Sequence, residues 1–137
     1  MGGKAFTKAF RLYRKKKYAE LIRLLEPQIF RYRDNPDFYY LLGMSCLKTG
    51  DFGGAYTYLR RCLDLRPDHV QTLLALAVVH LKRQETNETL KNWFQVLDID
   101  PHNRYAKKGL KMLKKLGDPE AIVQYFDCAF VWVREAG

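Results

Sequence analysis

The chain has 137 residues, of which 47% are hydrophobic, and its formal net charge is +9. That length suits a single domain with a substantial core, and the composition argues against intrinsic disorder. No apolar run is long enough for a membrane-spanning helix, and basic residues interrupt the N-terminal stretch where a signal peptide needs an apolar core, so we expect a cytoplasmic protein.

A 34-residue period divides the chain into four predicted helical pairs. Pro67 and Pro101 are 34 residues apart, as are Gly43 and Ala77, and the register continues without insertions. The predicted units are residues 2–35, 36–69, 70–103 and 104–137, within a single domain that covers residues 1–137.

The first unit, residues 2–35, keeps the period only loosely and is strongly basic. Pro27 falls inside its second predicted helix, where it removes a backbone hydrogen bond and clashes with the preceding turn. We therefore expect a kink or a restart near Glu26. The predicted basic patch of this unit comprises Arg11, Lys15, Lys16 and Lys17.

The second unit, residues 36–69, shows the pattern most clearly. Asn35-Pro36 is typical of a helix start, and Gly50 suits the left-handed residue that ends a helix. Small residues at Gly43 and Ala55 indicate the place where the two antiparallel helices approach most closely. The third unit, residues 70–103, repeats this plan.

The fourth unit, residues 104–137, diverges. Lys107, Lys111 and Lys114 fall on one helix face and extend the predicted basic patch. The last predicted helix, residues 119–135, is apolar nearly all round, although a terminal repeat usually has a polar outer face. It can pack on itself, on a second subunit or on further natural chain beyond Gly137, and we favour the last two. Its candidate self-association residues are Phe126, Phe130 and Trp132.

Two of the units closely resemble the tetratricopeptide repeat family. The matching residues are Tyr39, Leu42, Gly43, Cys46, Ala55, Leu59, Cys62 and Pro67 in one unit, and Leu73, Leu76, Ala77, His80, Thr89, Trp93, Val96 and Pro101 in the next. The resemblance implies an all-α fold, a superhelical solenoid of about four helical hairpins. It also implies a non-catalytic protein–protein interaction module, such as a scaffold, an adaptor or a chaperone-like holder.

In such repeats the first helices line a concave groove that holds partner peptides. An apolar trough with cations at the helix ends suits a hydrophobic, partly acidic peptide or helix. The cations Arg14, Lys48 and Lys82 are 34 residues apart, although each also suits its place near a helix C-terminus. The predicted groove comprises Phe6, Phe10, Tyr13, Arg14, Tyr40, Met44, Leu47, Lys48, Leu74, Val78, Leu81, Lys82, Lys108, Met112 and Lys115.

The resemblance does not extend to the carboxylate clamp of the subfamily that binds chaperone tails. Phe6, Phe10, Leu41, Gln71 and Ala75 stand at the matching places, so that role is disfavoured.

The sequence contains no recognisable motif for catalysis, phosphate binding or metal binding. We find no glycine-rich phosphate loop, no zinc-ligand spacing and no paired nucleophile and base, so we expect no enzyme activity, cofactor, metal or small-molecule substrate. The three cysteines are expected to be free core residues. Two alternatives stay open: the basic ends bind nucleic acid or an anionic membrane surface, or the last helix drives homo-oligomerisation.

Overall fold

The protein is all-α in the computed structural model, which describes residues 3–116 together with Ile122. These residues contain no strand, and none of their helices is long and apolar enough to span a membrane. The described residues form seven α-helices: α1 (Gly3–Arg14), α2 (Tyr18–Leu25), α3 (Pro36–Thr49), α4 (Phe52–Leu65), α5 (Val70–Lys82), α6 (Thr86–Ile99) and α7 (Arg104–Leu116).

The described residues fall into two compact units, one with residues 3–67 and one with residues 68–116 and Ile122. In the first unit α3 packs against α4 and also contacts α1 and α2. In the second unit α6 packs against both α5 and α7. The all-α prediction is therefore confirmed.

Side chains and turn geometry set the ends of α3 and α4. The Asn35 side chain accepts a hydrogen bond from the Asp37 amide at 3.0 Å, which satisfies one of the unpaired donors at the start of α3. Gly50 ends α3 in the left-handed conformation, with a φ of 83°, as predicted. The Asp51 side chain then accepts from the Gly54 amide at 3.0 Å and starts α4.

Gly43 lies at a close approach of α3 and α4, in agreement with the prediction. A Cβ atom at this position would lie 2.7 Å from Leu59 Cγ. Gly109 of α7 has a comparable place in the second unit, because a Cβ there would lie 2.6 Å from Trp93 Cζ2. The absence of a side chain therefore permits tight packing at both sites.

Thr89 occupies the place that Ala55 takes in the preceding unit. Its hydroxyl donates to the Ala77 carbonyl at 3.2 Å, so the buried oxygen is satisfied across the helical pair. His80 is buried, and its Nδ1 lies 3.0 Å from Glu85 Oε1.

Pro27 interrupts the second helix as expected. Helix α2 ends at Leu25, and Glu26–Gln28 forms a short 3₁₀ turn with Pro27 near its start. The chain then turns through residues 29–34 before α3 begins.

Two cysteines lie in the described residues, and both are buried thiols, as predicted. Burial, with smaller contributions from Asp51 and Glu26, raises the pKa of the Cys46 thiol to about 12. Cys46 therefore behaves as a small apolar core residue. Cys128 lies outside the described residues.

Candidate protein-binding surfaces

The predicted groove residues of the first unit differ in their accessibility. Three of them, Phe6, Tyr40 and Met44, are buried, so the expectation that they line an open surface is wrong. The others are partly or fully exposed: Phe10, Tyr13 and Arg14 on α1, and Leu47 and Lys48 at the end of α3. We call these five residues the α1–α3 surface.

The second unit shows the same division. Leu74, Val78 and Leu81 of α5 are buried, contrary to expectation, whereas Lys82 is partly exposed. On α7, Met112 is partly exposed, and Lys108 and Lys115 are exposed. A binding role for any of these residues stays a prediction.

The buried positions have a common physical cause. Residues 38–46 of α3 and residues 72–81 of α5 are buried without interruption, so both helices are covered around their whole circumference. A helix that is apolar on every side lowers its free energy by being covered on every side. The sequence reasoning assigned one face of each helix to the core and left the opposite apolar face for a ligand.

Burial also affects the ionisation of the Tyr40 hydroxyl. Burial raises the pKa of its hydroxyl, and nearby Tyr13 and Cys62 raise it further, so the group stays neutral. The neighbouring Tyr13 ring, part of the α1–α3 surface, lies 5.2 Å from the Tyr18 ring in an edge-on contact.

Each predicted rim cation lies in the last turn of a first helix, Arg14 in α1, Lys48 in α3 and Lys82 in α5. A cation there complements the negative end of the helix dipole. This explanation accounts for each residue singly.

The predicted basic patches are exposed at every position: Arg11, Lys15, Lys16, Lys17, Lys107, Lys111 and Lys114. Neither α1 nor α7 contains an acidic residue. On α1, an open depression of about 560 Å³ is lined by Lys4, Thr7, Lys8 and Arg11. Both helices therefore present positive charge without an acid on the same helix.

Sequence reasoning missed a further cleft in the first unit. It has a volume of about 500 Å³ and is lined by residues 30–37 and Arg66. Phe30 at its edge is 81% exposed. The available signal was an aromatic residue beside Arg31 and Arg33 in a turn.

The part of the chain that the structure describes contains no group of three or more His, Cys, Asp or Glu side chains able to hold a metal. The candidate self-association residues Phe126, Phe130 and Trp132 lie outside the described residues.

An all-α chain of packed helical pairs with a fixed period defines a helical-repeat protein of the kind that binds other proteins. A tetratricopeptide repeat model matches residues 36–69. The resemblance to the tetratricopeptide repeat family is therefore confirmed at residues 36–69, and such repeats are in general non-catalytic modules for protein–protein interaction.

Two relatives share 29% identity with this chain over 93 residues. They are the PEX5-related proteins of Mus musculus and Rattus norvegicus. The matched region covers 66% of this chain but only 16% of the mouse protein and 15% of the rat protein. The chain thus spans a small part of the length of these relatives.

Proposed function

We propose that the chain binds a partly acidic, apolar segment of another protein on the α1–α3 surface. The observation that carries this proposal is the accessible group of apolar and cationic side chains on two helices in contact. Phe10, Tyr13 and Leu47 supply partly exposed apolar area, and Arg14 and Lys48 supply positive charge. Charge complementarity of this kind speeds encounter and sets the register of a bound segment.

In this proposal the buried residues of α3 stabilise the fold and do not contact the partner. Tyr40 and Met44 hold α3 in place rather than touching the partner, since their side chains are buried. Binding energy then comes from the residues at the accessible end of α1 and α3. A few residues carry most of the affinity in typical interfaces, so a small accessible surface is sufficient.

The test uses the full chain and a fluorescein-labelled synthetic peptide that alternates Leu and Glu. Fluorescence anisotropy compares the wild type with Arg14→Glu, Lys48→Glu and the double variant. We expect the double variant to weaken binding by about tenfold or more, because two attractions become repulsions. Arg23→Glu, an exposed cation on α2, is the matched control and should stay close to the wild type.

Two results would contradict this function. One is an unchanged dissociation constant for the double variant. The other is equal affinity for a peptide in which Gln replaces every Glu. Circular dichroism of each variant confirms that the helices are retained, so that a loss of binding is not a loss of fold.

A second candidate function is binding to an anionic surface through α1 and α7. The acid-free sequences of both helices and the exposure of their lysines support it. The affinity of such binding falls steeply as salt concentration rises. Binding releases cations from the polyanion, and that release is less favourable when the solution already holds more salt. Gel shift with duplex DNA or single-stranded RNA and sedimentation with phosphatidylserine vesicles, each at low salt, would exclude it if no complex forms.

A further inference from the structure

The turn between the 3₁₀ segment and α3 holds one aromatic side chain inward and another outward. The Tyr32 ring lies 5.0 Å from the Phe6 ring and 5.3 Å from the Phe38 ring, inside the first unit. Phe30 points the other way and is 81% exposed, the highest value among the large hydrophobic residues that the structure describes. Core packing therefore does not account for an aromatic residue at position 30.

Hydrogen bonds hold this turn in one conformation. The Tyr32 amide donates to the Gln28 carbonyl at 3.2 Å, and the Asn35 amide donates to the Tyr32 carbonyl at 2.9 Å. The Arg33 side chain donates to the Phe30 carbonyl at 2.9 Å. A surface that is already ordered loses less conformational entropy when it binds a partner.

The charges around the cleft are unevenly paired. Asp34 lies 3.7 Å from the Arg61 guanidinium, and Asp37 lies 3.5 Å from that of Arg66. Arg31 instead lies over the Tyr32 ring, 5.6 Å from its centroid.

Arg33 bonds only to a backbone carbonyl, so neither it nor Arg31 has an acidic partner among residues 3–116 and Ile122. Two guanidinium groups and an exposed phenyl ring thus line the same cleft.

We infer that this cleft binds a short segment of a partner protein in which an aromatic side chain is flanked by carboxylates. A guanidinium fork matches a carboxylate in shape and charge, and the Phe30 ring offers a face for an aromatic contact. A volume of about 500 Å³ accommodates a few side chains. This cleft shares no residue with the α1–α3 surface and constitutes a second site.

Nucleic acid also combines negative charge with flat rings, but the cleft fits it less well. Asp34 and Asp37 belong to its lining, and their carboxylates repel a continuous chain of phosphates. Separate carboxylates on a peptide can meet Arg31 and Arg33 and avoid the two aspartates. The charge pattern therefore favours an acidic peptide.

The test measures fluorescence anisotropy of the full chain with a labelled synthetic peptide that carries Phe between Glu residues. We expect Phe30→Ser, and separately Arg31→Glu combined with Arg33→Glu, to raise the dissociation constant about tenfold or more. Phe94→Ser is the matched apolar control, since Phe94 is 56% exposed on α6, and Arg23→Glu is the charge control. Both controls should stay within about twofold of the wild type.

A second variant separates recognition from folding. Phe30→Tyr keeps the aromatic ring and should bind within a few-fold of the wild type, whereas Phe30→Ser loses affinity with an unchanged circular dichroism spectrum. Amide shifts in heteronuclear NMR should then appear at residues 30–37 when the peptide is added.

The inference is overturned if Phe30→Ser binds as well as the wild type, or if the peptide with Gln in place of Glu binds equally well. Tighter binding of single-stranded poly(U) RNA than of the acidic peptide would replace it with a nucleic-acid site. Shifts confined to Leu47, Lys48 and α1 would place this peptide on the other surface and also refute the inference.

Discussion

Replacement of Gly43 by Ala tests the close approach of α3 and α4 directly. The new Cβ would lie 2.7 Å from Leu59 Cγ, 2.9 Å from Leu59 Cδ2 and 3.2 Å from the Leu59 backbone nitrogen. Carbon atoms in favourable contact are about 3.5–4.0 Å apart, so the two helices must separate by about 1 Å or Leu59 must change rotamer. The backbone contact persists in either rotamer.

The magnitude follows from two opposing effects. Overpacking a close-packed core typically costs about 1–3 kcal/mol, and the backbone contact places Gly43→Ala in the upper part of that range. Alanine recovers about 1 kcal/mol through its higher helix propensity. We therefore expect the free energy of unfolding to fall by about 1–2 kcal/mol, measured by urea denaturation.

Gly53→Ala provides the matched control, because its Cβ would meet only Asp51 Oδ1, at 3.9 Å. It should be neutral or stabilising by up to about 1 kcal/mol. Combining Gly43→Ala with Leu59→Ala removes both clashing side-chain carbons. The double variant should therefore be destabilised by less than the sum of the two single effects. If Gly43→Ala matches Gly53→Ala in stability, the close-approach argument is refuted.

Three further predictions concern single side chains. Asn35→Ala should lower the free energy of unfolding by about 1 kcal/mol through loss of the bond to the Asp37 amide, whereas Asn35→Ser should retain most of it; equal stability of the two variants would contradict the cap. The hydrogen bond from His80 holds the pKa of Glu85 below its ordinary value, so its stabilising effect is present at neutral pH and disappears as pH falls through the lowered pKa. Urea titrations of Glu85→Gln and the wild type should therefore differ at neutral pH and converge in acid, and a constant difference would argue against the pair. Cys46, with its raised pKa, should resist iodoacetamide at mildly alkaline pH until urea unfolds the protein; rapid modification of the folded chain, detected by peptide mass spectrometry, would count against its burial.

Local chemistry made the helix boundaries predictable. Asn35-Pro36 and Gly50 act within a few residues of their own positions, and both perform the predicted role in the structure. Pro27 likewise ends a helix through its own ring and missing amide proton. The 34-residue period also made the contact between Gly43 and the following helix predictable, because a fixed repeat implies a fixed place of closest approach.

The cleft at Phe30 was not predictable in the same way. Its charge balance depends on Arg61 pairing with Asp34 and Arg66 pairing with Asp37, which bring together residues far apart in the chain. Periodicity indicates which residues share a helix face, but it does not indicate which cations form ion pairs with acidic residues elsewhere in the chain. Arg31 and Arg33 could be recognised as lacking an acidic partner only once those pairs were located.

Burial of six of the predicted groove residues changes how their binding role must be tested. Met44 is 0% exposed, so Met44→Ala should lower the free energy of unfolding by about 2–5 kcal/mol. Leu47→Ala should be less destabilising, since Leu47 is partly exposed. Urea denaturation distinguishes the two.

A loss of partner binding in Met44→Ala would therefore reflect damage to α3, whereas a loss in Lys48→Glu at unchanged stability identifies a contact. If Met44→Ala instead leaves stability within about 0.5 kcal/mol of the wild type, its side chain does not support the core. That result would support the prediction that Met44 faces a ligand.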